Sequence, residues 1–211
     1  MRELSKGQIH DALAIYGFRP SIAQSEAIES YISLLLQWNR KVSLTTVVEP
    51  IHILRFHFGE SLYASVCVPI LKGRLADVGT GAGFPGLPLR LAIPDLSLTL
   101  IESNIKKAAF LREAVRELNL SHVEVVRDRM EDLPVEARAF DFIAARAVGN
   151  HAATLKWAQS RLAPSGKVIL WLGEEDAEEI SGDPLWQWDA PAHIPGSERR
   201  FILSGSPTGR T

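Results

Sequence analysis

The stretch LADVGTGAGFPG, Leu75 to Gly86, decides how this chain is read. Before its glycines stands RLADV, a short apolar run of the kind that forms a buried parallel strand. After them LPLRLAI reads as the start of a helix. Strand, glycine loop and helix N-terminus together make a nucleotide-binding turn, where free backbone N–H groups are expected to converge. A tight turn without a ligand is disfavoured, because five of the ten residues in DVGTGAGFPG are glycine or proline. Gly81, Gly83 and Gly86 also spell G-x-G-x-x-G, and Glu102 follows at the end of the next strand, which admits a dinucleotide. Asp77 argues against that occupant, since a carboxylate at the strand tip repels a pyrophosphate in a low-dielectric cleft. Pro85 removes an N–H that an anion would want. S-adenosylmethionine has no phosphate and carries a cationic sulfonium and an ammonium, which suit Asp77. Gly79 and Gly81 would then let the backbone lie close to it. Glu102 can accept ribose hydroxyls from either cofactor.

Downstream of the loop the pattern alternates. Strands are expected at RLADV, LSLTLIE, VEVVR, FDFIAAR and KVILWL, with helices starting near Pro85, Ile105 and Asn150. That alternation means βαβ units and a mostly parallel sheet, an α/β, Rossmann-like arrangement with helices on both faces. The segment PLWQWDAPAHIPGSERRFILSGS holds two extended pieces with PGSE as a turn, an antiparallel hairpin at the sheet edge; SPTGRT is expected to fray. Upstream, residues 1–72 read as a helical extension on a core spanning 73–211. Lys6 to Tyr16 is helical, Ser21 caps a second helix, and a third runs from Glu49 through Phe56 toward Cys67.

The third strand leaves at Arg127, and the loop Asp128 to Glu131 can offer backbone groups at Met130 and Glu131 to an adenine edge. The same acids equally suit the start of a short helix. Arg146 emerges at the sheet's carboxyl edge, aimed either at a cleft or at a surface salt bridge. His57 reads as a hydrogen-bonded, partly buried histidine rather than a base. Lys106, Lys107, Arg112 and Arg116 could line up along one helix, but Glu113 and Glu117 make Arg112 and Arg116 a solvated outer face.

Composition sets the outer bounds. The 211 residues are 46% hydrophobic and 23% charged, ordinary globular values, with a net charge of −2. Any RNA-binding charge must therefore be concentrated on one face. The single cysteine, Cys67, excludes an internal disulfide framework, and a reducing cytoplasm fits. The N-terminal stretch lacks a signal-peptide pattern, and no run approaches the roughly 20 apolar residues of a membrane span.

The block LADVGTGAGFPGLPLRLAIPDLSLTLIESNIKKAAFLREAVRELNL resembles the cofactor half of the RsmG (GidB) family, bacterial methyltransferases of small-subunit ribosomal RNA. LLLQWNRKVSLTTVVEP, HILRFHFGESL, DRMED, AARA and ERRFIL are similar to its other blocks, so the resemblance covers nearly the whole chain. It implies a Rossmann-like methyltransferase sheet with a helical N-terminal extension. The implied activity is methyl transfer from S-adenosylmethionine to N7 of a guanosine in the decoding-region loop of 16S ribosomal RNA. It further implies cofactor contacts at Gly79, Phe84, Met130, Glu131 and Arg146, and makes Arg129 and Arg199 candidates for holding RNA. Asp77, Gly81 and Glu102 join the cofactor set on the physical argument above. The chain departs from the family pattern at Ser43, Phe56 and Leu172. No metal, no membrane partner and no general base are expected, because guanine N7 carries a lone pair and no proton. The substrate is expected within the small ribosomal subunit and the protein as a monomer. The competing classes are a methyltransferase acting on a small molecule or protein, and a non-enzymatic module that senses the cofactor.

Overall fold

The computed structural model describes residues 4–70, 72–133 and 139–209. Helix α1 (Lys6–Ala14) and helix α2 (Ile22–Asn39) each begin with a capping box, Ser5 with Gln8 and Ser21 with Gln24. In both, the serine Oγ accepts the N–H of the glutamine while the glutamine side chain accepts the serine N–H. The third helical segment runs from Pro50 to Cys67, as expected, but is not uniform. Helix α3 (Pro50–Ile53) widens into a π-helical turn at Leu54–Gly59 before α4 (Glu60–Cys67). Gly59 is required there because the Tyr16 ring occupies the space a Cβ would need.

The strands are β1 (Gly73–Val78), β2 (Leu96–Ile101), β3 (Val123–Val126), β4 (Phe140–Arg146), β5 (Leu162–Gly173), β6 (Trp186–Trp188), β7 (Ala192–His193) and β8 (Arg200–Pro207). They form one sheet in the order β3-β2-β1-β4-β5-β8-β6, with β7 paired to β8. The first five are parallel and β8 runs antiparallel to β5. The reversal of order between β2-β1 and β4 puts a crevice at the carboxyl ends of β1, β2 and β4. Among the described residues, the α-helices between the strands are α5 (Gly86–Ala92), α6 (Ile105–Glu117), α7 (His151–Arg161) and α8 (Glu174–Ser181).

The two sheet faces carry separate cores. Leu75, Leu98, Leu100 and Ala144 point to one side, where α5, α6 and the N-terminal helices share a single buried cluster with them. Ala76, Ile143, Val168 and Leu170 point to the other, against α7 and α8. The carboxy-terminal hairpin differs from its expected place. PGSE does turn between β7 and β8, but β8 lies inside the sheet and β6 forms the edge. Helix α8 is an addition to the expected elements. Its acidic first turn suits a helix N-terminus, and Ala177 and Ile180, three apart, bury its apolar face.

Candidate functional site

The carboxyl ends of β1, β2 and β4 surround a cleft of about 310 Å³, lined among others by Gly79, Ser103, Arg129, Met130, Glu131 and Val148. Gly79, Gly81 and Gly83 have φ of 64°, 59° and 94°, conformations that strain any side-chain-bearing residue. Most of the loop's N–H groups are not free, contrary to the expectation from sequence. Gly79 and Thr80 donate to the Ile101 carbonyl at 2.9 and 3.2 Å, and Gly83 and Phe84 donate to the Thr80 carbonyl at 2.8 and 3.1 Å. Gly81 donates to Glu102 Oε2 at 3.0 Å and Gly86 to Asp77 Oδ2 at 2.7 Å. The strand tips and the loop's own turn consume the donors that a pyrophosphate would need.

Asp77 is fully buried behind the loop. Its Oδ2 accepts from Thr80 Oγ1 at 2.5 Å as well as from Gly86, while Oδ1 has no hydrogen-bond partner among the described residues. Burial pushes its carboxyl up to about 7, and the bonds from Thr80 and Gly86 hold it from rising further. A buried, half-satisfied carboxylate is costly alone and is relieved by a cation nearby. Glu102 divides its oxygens between Gly81 N–H and Asn104 N–H, the latter at 2.7 Å, so it locks the loop to the start of α6.

The aromatic side of the loop faces the N-terminal helices. Phe84, joined to Pro85 by a cis peptide bond, stacks on His57 with ring centroids 4.7 Å apart and meets Tyr31 and Phe58 edge-on. Tyr31 donates its hydroxyl to the Ala82 carbonyl. His57 Nε2 lies 2.8 Å from Thr45 Oγ1, and burial pulls its pKa down to about 4, so the ring is neutral at physiological pH. Asn39 folds the preceding connection by accepting the N–H groups of Leu44 and Thr45 and donating to the Thr45 carbonyl.

Arg146, the last residue of β4, reaches the π-helical turn. It donates to the Phe56 carbonyl at 2.6 Å and to Glu60 Oε2 at 2.7 Å. Glu60 is buried, and its other oxygen lies 2.8 Å from Arg200 of β8. Arg199 turns away to pair with Glu174 and Glu175 of α8 at 3.0 and 3.3 Å.

The structure thus brings Gly79, Arg129, Met130 and Glu131 to one cleft, while Gly81 and Glu102, bonded to each other, are not among its lining residues. Asp77 and Phe84 lie behind the loop, Arg146 holds the N-terminal helices, and Arg199 sits on the surface beside α8. Sequence reasoning missed the cleft-lining Ser103, Asn150 and Thr154, and also Glu60. Asn150 was findable as an N-cap, for it accepts the Ala153 N–H ahead of α7. Glu60 was findable as the one carboxylate in the aromatic-rich, largely apolar run FHFGESLYA. No cluster of three or more potential metal ligands occurs among the described residues, and no described helix is long and apolar enough to cross a membrane.

The family model described as rRNA small subunit methyltransferase G (GidB) matches residues 24–187. A protein named ribosomal RNA small subunit methyltransferase G from Halorhodospira halophila is 42% identical over 159 residues, 75% of this chain and 74% of that one. Its namesake from Xanthomonas axonopodis pv. citri is 38% identical over 179 residues, 82% of both chains. Among solved structures, a SAM-dependent methyltransferase from Aquifex aeolicus superposes with a TM-score of 0.61 at 16% identity, covering 77% of this chain and 96% of that one. A ribosomal protein L11 methylase from Lactobacillus delbrueckii subsp. bulgaricus gives 0.59 at 17% identity, over 72% and 79%. These two likenesses establish the Rossmann-like methyltransferase fold.

Proposed function

The chain belongs to the rRNA small subunit methyltransferase G (GidB) family and is a methyltransferase of small-subunit ribosomal RNA, and from that premise we propose that it binds S-adenosylmethionine in the cleft beside Gly79 and methylates N7 of a guanosine in 16S ribosomal RNA. The observation that carries the cofactor reading is Asp77. Its unpartnered Oδ1 is buried behind a loop whose N–H groups point inward, a setting that favours a cationic ligand and offers little to a pyrophosphate. The residues fit the cofactor. Asp77 balances its positive charge, and Gly79 and Gly81 give its methionine part close backbone approach. Glu102 accepts from its ribose hydroxyls, Met130 and Glu131 border its adenine, and Phe84 supports the loop through its ring stack.

When bound, S-adenosylmethionine supplies an electrophilic methyl group on a sulfonium. Guanine N7 presents an unprotonated lone pair, so none of the chain's residues has to remove a proton. Their work is alignment, holding donor and acceptor about 3–3.5 Å apart in line. Arg146 keeps the end of β4 and the π-helical turn in register behind the cleft. Arg129, at the rim, holds RNA phosphate or a base edge, and Arg199 joins it only on exchanging Glu174 and Glu175 for phosphate. Residues 1–72 act as an extension of the catalytic core at 73–211, since Tyr31, His57 and Glu60 brace the loop and strand ends. The protein works as a cytoplasmic monomer on the small subunit.

The test is transfer of labelled methyl from S-adenosylmethionine to small ribosomal subunits that lack this modification, followed by digestion to nucleosides. Label in 7-methylguanosine is the expected outcome. Label in another nucleoside would overturn the N7 assignment, and label in none would move the acceptor outside RNA.

A further inference from the structure

We propose that the groove between α2 and α6 seats a single-stranded segment of the RNA substrate flanking the methylated nucleotide, an inference that rests on the RNA methyltransferase function above. The groove has a volume of about 420 Å³ and is lined by Gln37, Trp38, Lys41, Val42, Lys106 and Glu113. It lies at the same edge of the sheet as the cofactor cleft. Helix α2 starts near the amino edge, where Gln24 Nε2 donates to the Leu91 carbonyl at 2.9 Å, and ends beside the first turn of α6. The two sites are joined through a short chain of contacts. Ser103 lines the cleft, and Asn104 donates its N–H to Glu102 and caps α6 by accepting from Lys106 N–H at 2.9 Å.

The lining has the chemistry of a single-strand seat. Lys41 and Lys106 are exposed, and no ion pair among the described residues engages either. Lys6, Lys167 and Arg199, by contrast, each face a carboxylate. With a net charge of −2, the chain has no general attraction for RNA, so unneutralised cations beside the cleft carry weight. Trp38 adds an indole, half-buried and braced edge-on against Phe110 at 5.9 Å, which suits an unstacked base better than a paired one. Glu113, two turns along α6 from Lys106, repels phosphate and gives the groove a direction. The sugar-phosphate backbone lies at the lysine end, and hydroxyl or amino donors face Glu113 and Gln37.

The test compares Lys41→Glu/Lys106→Glu with Arg112→Glu/Arg116→Glu, which makes the same change of charge on the outer face of α6. For the lysine pair, KM for small-subunit RNA is expected to rise tenfold or more, with the Kd for S-adenosylhomocysteine within twofold of the parent. The slope of log affinity for RNA against log salt is expected to fall by about 1.4, two phosphate contacts at about 0.7 each. The arginine pair is expected to stay within twofold throughout. Lys41→Gln/Lys106→Gln, which keeps both side chains polar and near their length, is expected to raise KM in the same direction by less. An unchanged KM and slope for the lysine pair, or an equal rise for both pairs, would overturn the groove. Failure of the parent protein to methylate or bind any RNA would instead defeat the functional reading, and the groove with it.

Discussion

Glu60 Oε2 and Arg146 Nη2 meet at 2.7 Å, joining the end of β4 to the helical segment that braces the glycine loop. Glu60 is buried and Arg146 largely so, and four distant stretches of sequence meet there: Glu60 also bonds Arg200, and its backbone carbonyl accepts the indole N–H of Trp171 at 2.8 Å. Burial raises the Glu60 carboxyl pKa, and the two arginines oppose that rise. Glu60→Ala leaves Arg146 buried without its counter-charge. The expected loss of stability in urea unfolding is about 3–5 kcal/mol.

Tyr31→Phe removes the donor to the Ala82 carbonyl and leaves the ring contacts with Phe58 and Phe84 in place. A buried carbonyl without a donor costs about 1–3 kcal/mol. The cost falls on the loop, so S-adenosylhomocysteine should bind several-fold more weakly in calorimetry at a temperature where the variant is fully folded.

Gly86→Ala tests how closely α5 starts against the strands. A Cβ there would lie 2.7 Å from Asp77 Oδ2 and 2.8 Å from Leu100 Cδ2, both inside the core, so neither can move aside cheaply. The expected result is a destabilised protein with cofactor binding lost, read by thermal unfolding and calorimetry together.

Asp77 carries a pH signature. Its folded pKa of about 7 lies above the ordinary value of 3.8, so the folded state holds a proton that the unfolded chain has released. Stability from this group is present at low pH and is lost as pH rises from about 4 through 7, at about 1.4 kcal/mol per pH unit where steepest. His57 works the other way: its pKa of about 4 lies below the ordinary 6.5, so it withdraws stability as pH falls through that interval. Asp77→Asn removes only the first effect. The variant should gain on the parent as pH rises from 4 to 8 in parallel unfolding curves, while its affinity for S-adenosylmethionine falls tenfold or more.

The strands and the helices among them were legible because each is a simple pattern. Leu75 lies on a short apolar run, Leu96, Leu98 and Leu100 alternate with Ser97 and Thr99 at strand period, and Ser21 sits ahead of a helical stripe. The place of β8 was not legible. Hairpin signals report which segments pair locally, while the insertion of β8 between β5 and β6 depends on packing across residues far apart in sequence. The site was legible in part for the same reason. Met130 follows from the end of the third strand, and Gly79 from the family resemblance. The destination of Arg146 did not, because its partner Glu60 lies in another helix and the π-helical turn that exposes the Phe56 carbonyl leaves no spacing signature. Asp77 was read as facing the ligand directly; it lies buried behind the loop, where its Oδ2 accepts from Thr80 and Gly86 and closes the loop on itself.

The most direct measurement is calorimetric titration of S-adenosylmethionine and of NAD into the parent protein and into Glu102→Ala. The expected result is saturable binding of S-adenosylmethionine to the parent, at least tenfold weaker in Glu102→Ala, with no heat from NAD. Binding of NAD in preference to S-adenosylmethionine, or S-adenosylmethionine binding indifferent to Glu102, would contradict the assignment of the cleft.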